Sequence, residues 1–300
     1  MATLRDIRQR IVSVKSTSKI TSAMKMVAAA KLRRAQDAII AARPYTDKLT
    51  GILRNLASAE SEMSHPFFQT RDVVQNILVI VVGSDRGLCG GFNSNLFKAA
   101  AYHIDKRIPQ DHPKAAVHVL PVGRRAITFF QRRSNPIVAK FPDVFTKLDF
   151  STVGELSPIV TEGFTFGTYD RVVLIFNEFK STIKQDVRIM PLLPIESDSE
   201  GSKKEAGSKG ESGTEYIYEP SRVDILDSIL PRYLNLQLWR ALLDSNAAEQ
   251  AARMLAMDNA TTNARDLIGA LQLDYNKARQ ASITKEMLEI VGGAEALKSA

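Results

Sequence analysis

Apolar residues return every third or fourth position along the first fifty-six residues. The seam runs through Leu4, Ile7, Ile11, Val14, Ser18, Thr21, Lys25, Ala28, Leu32, Ala35, Ile39, Ala42, Thr46, Leu49, Leu53 and Leu56, and twelve of these sixteen positions are apolar. Such a stripe predicts a helix built to pair with another helix. Thr3 can cap its start, while Pro44 and Gly51 are the breakers inside it, so a kink is expected near Pro44. Fifty-odd helical residues make a rod of roughly 80 Å, too long for one compact domain. The polar seam positions Ser18, Thr21 and Lys25 fall together, which suggests that the seam there faces something other than a partner helix.

From Asn76 the period changes. Ile77 to Val82 is a continuous aliphatic run ending at Gly83, the pattern of a strand buried on both faces. Helix is expected over Ser94–Lys106, strand over Ala116–Val122, helix over Arg124–Arg133, a short strand over Ile137–Lys140, helix over Val153–Phe166 and strand over Arg171–Phe176. This alternation implies a mainly parallel sheet with helical crossovers. Thr182–Leu193 and Tyr216–Tyr218 read as an antiparallel addition at one edge, separated by residues 197–214, a Ser, Gly, Lys and Glu stretch with too little apolar surface to order itself.

The last segment is helical again. Leu243, Ala247, Ala251, Met254, Met257, Ala264, Ile268, Leu271, Tyr275 and Ala278 follow spacings of three and four, with Thr261 the one polar seam position and Pro231 the expected bend. One rod enters the central domain and one leaves it, each with an apolar stripe to cover, so they are expected to pair antiparallel. The predicted fold is α/β: a long antiparallel coiled coil of N- and C-terminal helices plus a central Rossmann-like α/β domain with a mainly parallel sheet. The expected boundaries are 1–58, 70–220 (with the loop 197–214) and 221–298.

Charge sharpens this picture. The 300-residue chain carries 40 Lys+Arg against 33 Asp+Glu, a net +7. Residues 1–43 hold ten cations and two acids, a local +8, which leaves the other 257 residues at −1. A basic helix that continues into heptads superficially matches a basic-region zipper, but such a basic region lacks a seam, and here Leu4, Ile7, Ile11 and Val14 carry one through it. The excess favours an acidic protein surface around the helix over nucleic acid. The longest uncharged run, Val73–Ser84, has twelve residues, far short of the ~20 that cross a bilayer. The N-terminus has no apolar core of a signal peptide, and no targeting segment is expected.

The richest local motif is Gly83-Ser84-Asp85-Arg86-Gly87-Leu88-Cys89-Gly90-Gly91-Phe92-Asn93, between a strand and a helix. Phosphate often binds at such a place, yet no Gly-Lys-Ser/Thr and no G-x-G-x-x-G is present. Glycines for a tight turn and a small buried Cys89 are expected instead, with Asp85 and Arg86 closing the turn as a local salt bridge. Ser84 lies outside a nucleophile elbow, Cys89 has no nearby histidine, and His65, His103, His112 and His118 lack ligand spacing. No catalytic, cofactor-binding or metal-ligating constellation is expected.

Four separated blocks then carry a specific likeness. Ile20–Lys31 (ITSAMKMVAAAK), Asp85–Gly91 (DRGLCGG), Glu249–Met254 (EQAARM) and Tyr275–Thr284 (YNKARQASIT), in this order, resemble the gamma subunit of F-type ATP synthase, as does the tail Ile283-Thr284-x-Glu286-x-x-Glu289-x-x-x-Gly293-Ala294. The resemblance implies a non-catalytic central shaft. Its coiled coil would lie inside a hexamer of alpha and beta subunits, and its foot would sit with epsilon on the c-subunit ring. Ion flow would turn the shaft and cycle the beta sites. It implies no cofactor, no nucleic acid and no direct membrane span. Met24 and Lys25 match the region facing the beta-subunit levers; Arg279, Gln280 and Thr284 match the beta-subunit catch. The paired cysteines of the chloroplast redox-regulated form are lacking. The expected location is peripheral, on the cytoplasmic face of a bacterial inner membrane, with the matrix side of the mitochondrial inner membrane as the alternative.

Overall fold

The structure is a computed structural model and describes residues 3–57, 65–195 and 222–298. The low-complexity stretch 197–214 and the short strand expected at Tyr216–Tyr218 lie outside the described residues. Two compact units divide the chain: Met1–Ala29 with Arg253–Ala300, and Ala30–Ala252. Helices α1 (Leu4–Ala57) and α6 (Arg222–Lys298) each contribute a length to both.

In the first unit the two helix lengths pair through their apolar seams. Thr3 caps α1 in a reciprocal box: its Oγ1 accepts from the Asp6 N–H and its own N–H donates to Asp6 Oδ2. Hydrogen bonding from the Thr3 hydroxyl first, and then from the Thr3 N–H, holds the Asp6 carboxyl below its ordinary range. No described seam position of α1, and none named above on α6, is exposed. Burial nonetheless differs along the seam. Leu4, Ile7, Ile11 and Val14 are only half-buried, whereas Thr21 and Ala28 are buried.

The second unit is built on a four-stranded sheet in the order β2-β1-β3-β4, from β1 (Asn76–Val82), β2 (Ala116–Val122), β3 (Arg171–Phe179) and β4 (Gln185–Leu193). β1 runs parallel to both β2 and β3, and β4 closes one edge antiparallel to β3. The alternation of side chains along β1 feeds two cores. Leu78, Ile80 and Val82 join α5 (Ser151–Thr165) and the Leu226, Leu230, Leu234, Leu238 and Leu242 stripe of α6. Ile77, Val79 and Val81 join α2 (Phe92–Tyr102) and α4 (Arg124–Phe130). The sheet is therefore the middle layer of three.

Several expected details shift. α2 begins at Phe92 and continues through a π turn, His103–Arg107, into the short α3 (Ile108–Asp111). The strand expected over Ile137–Lys140 is reduced to two isolated parallel bridges, Val119 with Ile137 and Val122 with Phe141. α1 continues without a break through Pro44, and α6 through Pro231. A proline in a helix removes one N–H, and near Pro44 the Thr46 hydroxyl donates to the Ala42 carbonyl at 2.9 Å.

Arg71 clamps the sheet at the N-terminal ends of β1 and β3. Its guanidinium donates to Asp170 Oδ1 at 2.7 Å and to the carbonyls of Tyr169 and Phe164, while Asp170 Oδ2 accepts the N–H groups of Gln75 and Asn76. Burial alone would raise the Asp170 carboxyl, but Arg71 and these two N–H groups outweigh it and hold it below its ordinary range.

Candidate functional site

The inner face of the first unit carries a polar lock. Thr21 Oγ1 and Thr261 Oγ1 lie 2.7 Å apart and buried, with the Ser18 carbonyl 3.1 Å from one and the Met257 carbonyl 2.7 Å from the other. Each hydroxyl has one proton, so whichever donates across the pair leaves the other free to donate into its own helix. One turn along, Lys25 Nζ meets Asp258 Oδ1 at 2.7 Å. Residue numbers rise on α1 as they fall on α6, which fixes an antiparallel register. Thr21 and Lys25 therefore do face the partner helix, contrary to what the clustering of polar seam positions suggests. Hydroxyls that satisfy each other remove the need for another partner.

The outer faces are different. Arg5, Arg8, Arg10, Lys15 and Lys19 are all exposed. On α6 every residue from Ile283 to Ala294 is exposed, and five are large and apolar: Ile283 49 %, Met287 60 %, Leu288 66 %, Ile290 73 % and Val291 59 %. Among the expected interface residues, Met24 and Lys25 are half-buried, and Arg279, Gln280 and Thr284 are exposed on the outside of α6, with the Thr284 hydroxyl donating to the Gln280 carbonyl at 3.0 Å. Lys25 is thus neutralised in part by its own chain.

The glycine turn belongs to the second unit and is filled from within. Ser84 Oγ donates to the Arg86 carbonyl at 2.7 Å, Asn93 Nδ2 donates to Ser84 Oγ at 2.7 Å, and Asn93 Oδ1 accepts from the Ser84 N–H. Cys89, 2 % exposed, packs with Phe92, Ala248 and Ala252. Asp85 does not pair with Arg86. Its carboxylate accepts three backbone N–H groups, of Arg124, Asp143 and Phe145, and so ties the turn to the segments after β2. Backbone donors offer a fixed geometry that a flexible arginine beside it lacks. Gly123 is required at its place: φ is +89°, and a Cβ there would stand 2.5 Å from the Gly83 carbonyl oxygen. Leu88, by contrast, is an exposed leucine held at φ +63°. No group of His, Cys, Asp and Glu able to hold a metal exists among the described residues, and no described helix is long and apolar enough to cross a membrane.

Two features escaped the pattern of spacing. The register was readable by setting the polar defect at Thr21 against the single polar seam position at Thr261. The exposed apolar run Ile283–Val291 was hidden because its three-and-four spacing looks like more seam; only the absence of a facing stripe so near the start of α1 hinted otherwise.

The ATP synthase family model matches residues 3–297. The ATP synthase gamma chain of Chlorobaculum parvum is 48 % identical over 298 residues, 99 % of this chain and 100 % of that one. The gamma chain of Chloroherpeton thalassium is 48 % identical over 301 residues, 99 % of each. Among solved structures, a chain in the OSCP/F1/c-ring assembly of Euglena gracilis mitochondrial ATP synthase shares the fold, with a TM-score of 0.64, 19 % identity, and coverage of 98 % of this chain and 94 % of that one. A chain in the central stalk/c-ring structure of the Tetrahymena thermophila mitochondrial enzyme matches with a TM-score of 0.58 and 24 % identity, covering 80 % of this chain and 99 % of that one.

Proposed function

Because the chain belongs to the ATP synthase gamma family, we propose that it is the central-stalk subunit and rotary shaft of an F-type complex and makes no covalent bond itself. The paired helices act as the shaft inside a hexamer of alpha and beta subunits. The α/β unit acts as the foot, together with epsilon on the c-subunit ring. Ion flow through that ring turns the foot, and the asymmetric outer surface of the helices carries each beta subunit in turn through its open, loose and tight states. The complex is membrane-bound through its ring, and this subunit is peripheral, on the cytoplasmic face of a bacterial inner membrane.

One observation carries the reading. The seam between the helices is closed by its own residues, while the outer surface holds a bare cationic face on α1 and five large apolar side chains on α6 between Ile283 and Val291. Contiguous apolar surface of this kind marks an interaction site. An enclosing collar, acidic opposite α1 and apolar opposite the end of α6, suits both. Met24, Lys25, Arg279, Gln280 and Thr284 then sit where the beta subunits touch the shaft. Lys25, already paired with Asp258, contributes less there than Arg279, whose charge is exposed.

Reconstitution tests this. Mixed with purified alpha and beta subunits, the full chain restores ATP hydrolysis, and Ile290→Asp with Val291→Asp weakens assembly without unfolding the isolated chain. Failure of the intact chain to assemble under conditions where a relative's gamma chain does would count against it.

A further inference from the structure

In the second unit α6 crosses the C-terminal end of the sheet, where the Ser245 hydroxyl donates to the Val82 carbonyl at 3.3 Å and Ala248 and Ala252 cover Cys89 and Phe92. Beside this contact lies Asp244, its side chain 9 % exposed. Among the described residues its carboxylate accepts no hydrogen bond, and its one ion-pair partner, Arg240 on the same helix, stands 3.8 Å away and is half-exposed. The other elements around it also bring charge: Glu178 on β3, Arg188 on β4 and Arg43 on α1. Glu178 and Arg188 are bonded to each other at 2.6 Å, so their fields on Asp244 largely cancel.

A buried carboxylate with one long ion pair and no hydrogen bond is costly when ionised and cheap when protonated. We propose that Asp244 is a proton-operated latch at this joint: neutral, it lets α6 seat firmly on the ends of β1 and β3, and ionised, it loosens that seat. Burial, the largest influence, together with Glu178 pushes the carboxyl up to about 6 against the pull of Arg240, Arg188 and Arg43. Because the packed form binds the proton more tightly than an opened form with an ordinary carboxyl, the joint tightens as pH falls from above 6 towards 4 and is indifferent to pH above that window. The latch goes beyond the rotary reading and does not depend on it.

Hydrogen exchange on the full chain tests it. With rates corrected for intrinsic pH dependence, the amides of residues 239–252 gain about tenfold protection between pH 7.5 and pH 5, the ratio that linkage gives for a carboxyl moved from 3.8 to about 6. Asp244→Asn, of the same shape and always neutral, shows high protection at both pH values and no gain. Equal pH profiles for the two proteins overturn the latch, as does lower protection in the variant at pH 7.5. Should the variant misfold, the Asp244 carboxyl carbon resonance in the unaltered chain decides alone: a titration midpoint near 6 supports the latch, and one near 4 ends it.

Discussion

One helix, α6, passes through three environments. Between Leu226 and Ala252 it is buried on several sides: the Leu226, Leu230, Leu234 and Leu238 stripe enters the sheet core, while Ala247, Ala248 and Ala251 are sealed. Between Met257 and Ala278 only a narrow stripe is covered. From Ile283 to Ala294 nothing is. The difference lies less in hydrophobicity than in what stands opposite. Leu230 and Leu288 are the same residue on the same helix, one 0 % exposed and the other 66 %. Stability belongs to the first region, and the last is the surface left for the partner contacts proposed above.

The contrast is sharpest under truncation. Leu230→Ala is expected to cost about 2–5 kcal/mol, the range for opening a cavity in a packed core, whereas Leu288→Ala changes stability by less than about 0.5 kcal/mol. Denaturant unfolding of the full chain measures both, and a large loss at Leu288 would erase the distinction.

Arg71→Ala comes next. It strips a clamp from the largely buried Asp170 and is expected to cost about 2–3 kcal/mol, less than a fully buried pair would because Arg71 is about one-third exposed. The pH signature is separate. Since Asp170 is held below its ordinary range when folded, its contribution is present above about pH 4 and is lost as pH falls further, the opposite of the slope expected for Asp244. Thermal unfolding between pH 3 and 6 reads the two slopes in Arg71→Ala and Asp244→Asn.

The seam lock is smaller. Thr21→Val leaves the Thr261 hydroxyl its own-helix acceptor, so the loss is about 1 kcal/mol, and the double change with Thr261→Val costs less than the two singles together because no polar group is then left unpaired. A strictly additive cycle would show that the hydroxyls do not act as a unit. Smallest is Lys25→Ala, below about 1 kcal/mol and vanishing in high salt, since both partners of that pair are close to half-exposed.

These magnitudes also explain what spacing alone made legible. Strand β1 is legible because a β-branched run buried on both faces has few other uses, and β2 occupies Ala116–Val122, the span expected for it. The seams were equally plain, since a stripe of three-and-four spacing needs a cover. Asp85 was not: three backbone N–H groups, two of them some sixty residues away, leave no mark in local sequence. Nor was the second use of the alanines: Ala247 to Ala252 read as seam, yet Ala248 and Ala252 also cover Cys89 and Phe92 of the glycine turn. Small residues fit either neighbour, and only the folded chain says which.

The central claim is that this subunit turns while its partners do the chemistry. Phe166 in the α/β unit is 81 % exposed and the native Cys89 is buried, so Phe166→Cys gives a single accessible thiol among the described residues to carry a bead. In a complex whose alpha and beta subunits are fixed to glass, the bead is expected to rotate in one direction while ATP is hydrolysed. Sustained hydrolysis with a firmly attached bead that stays still would contradict the account.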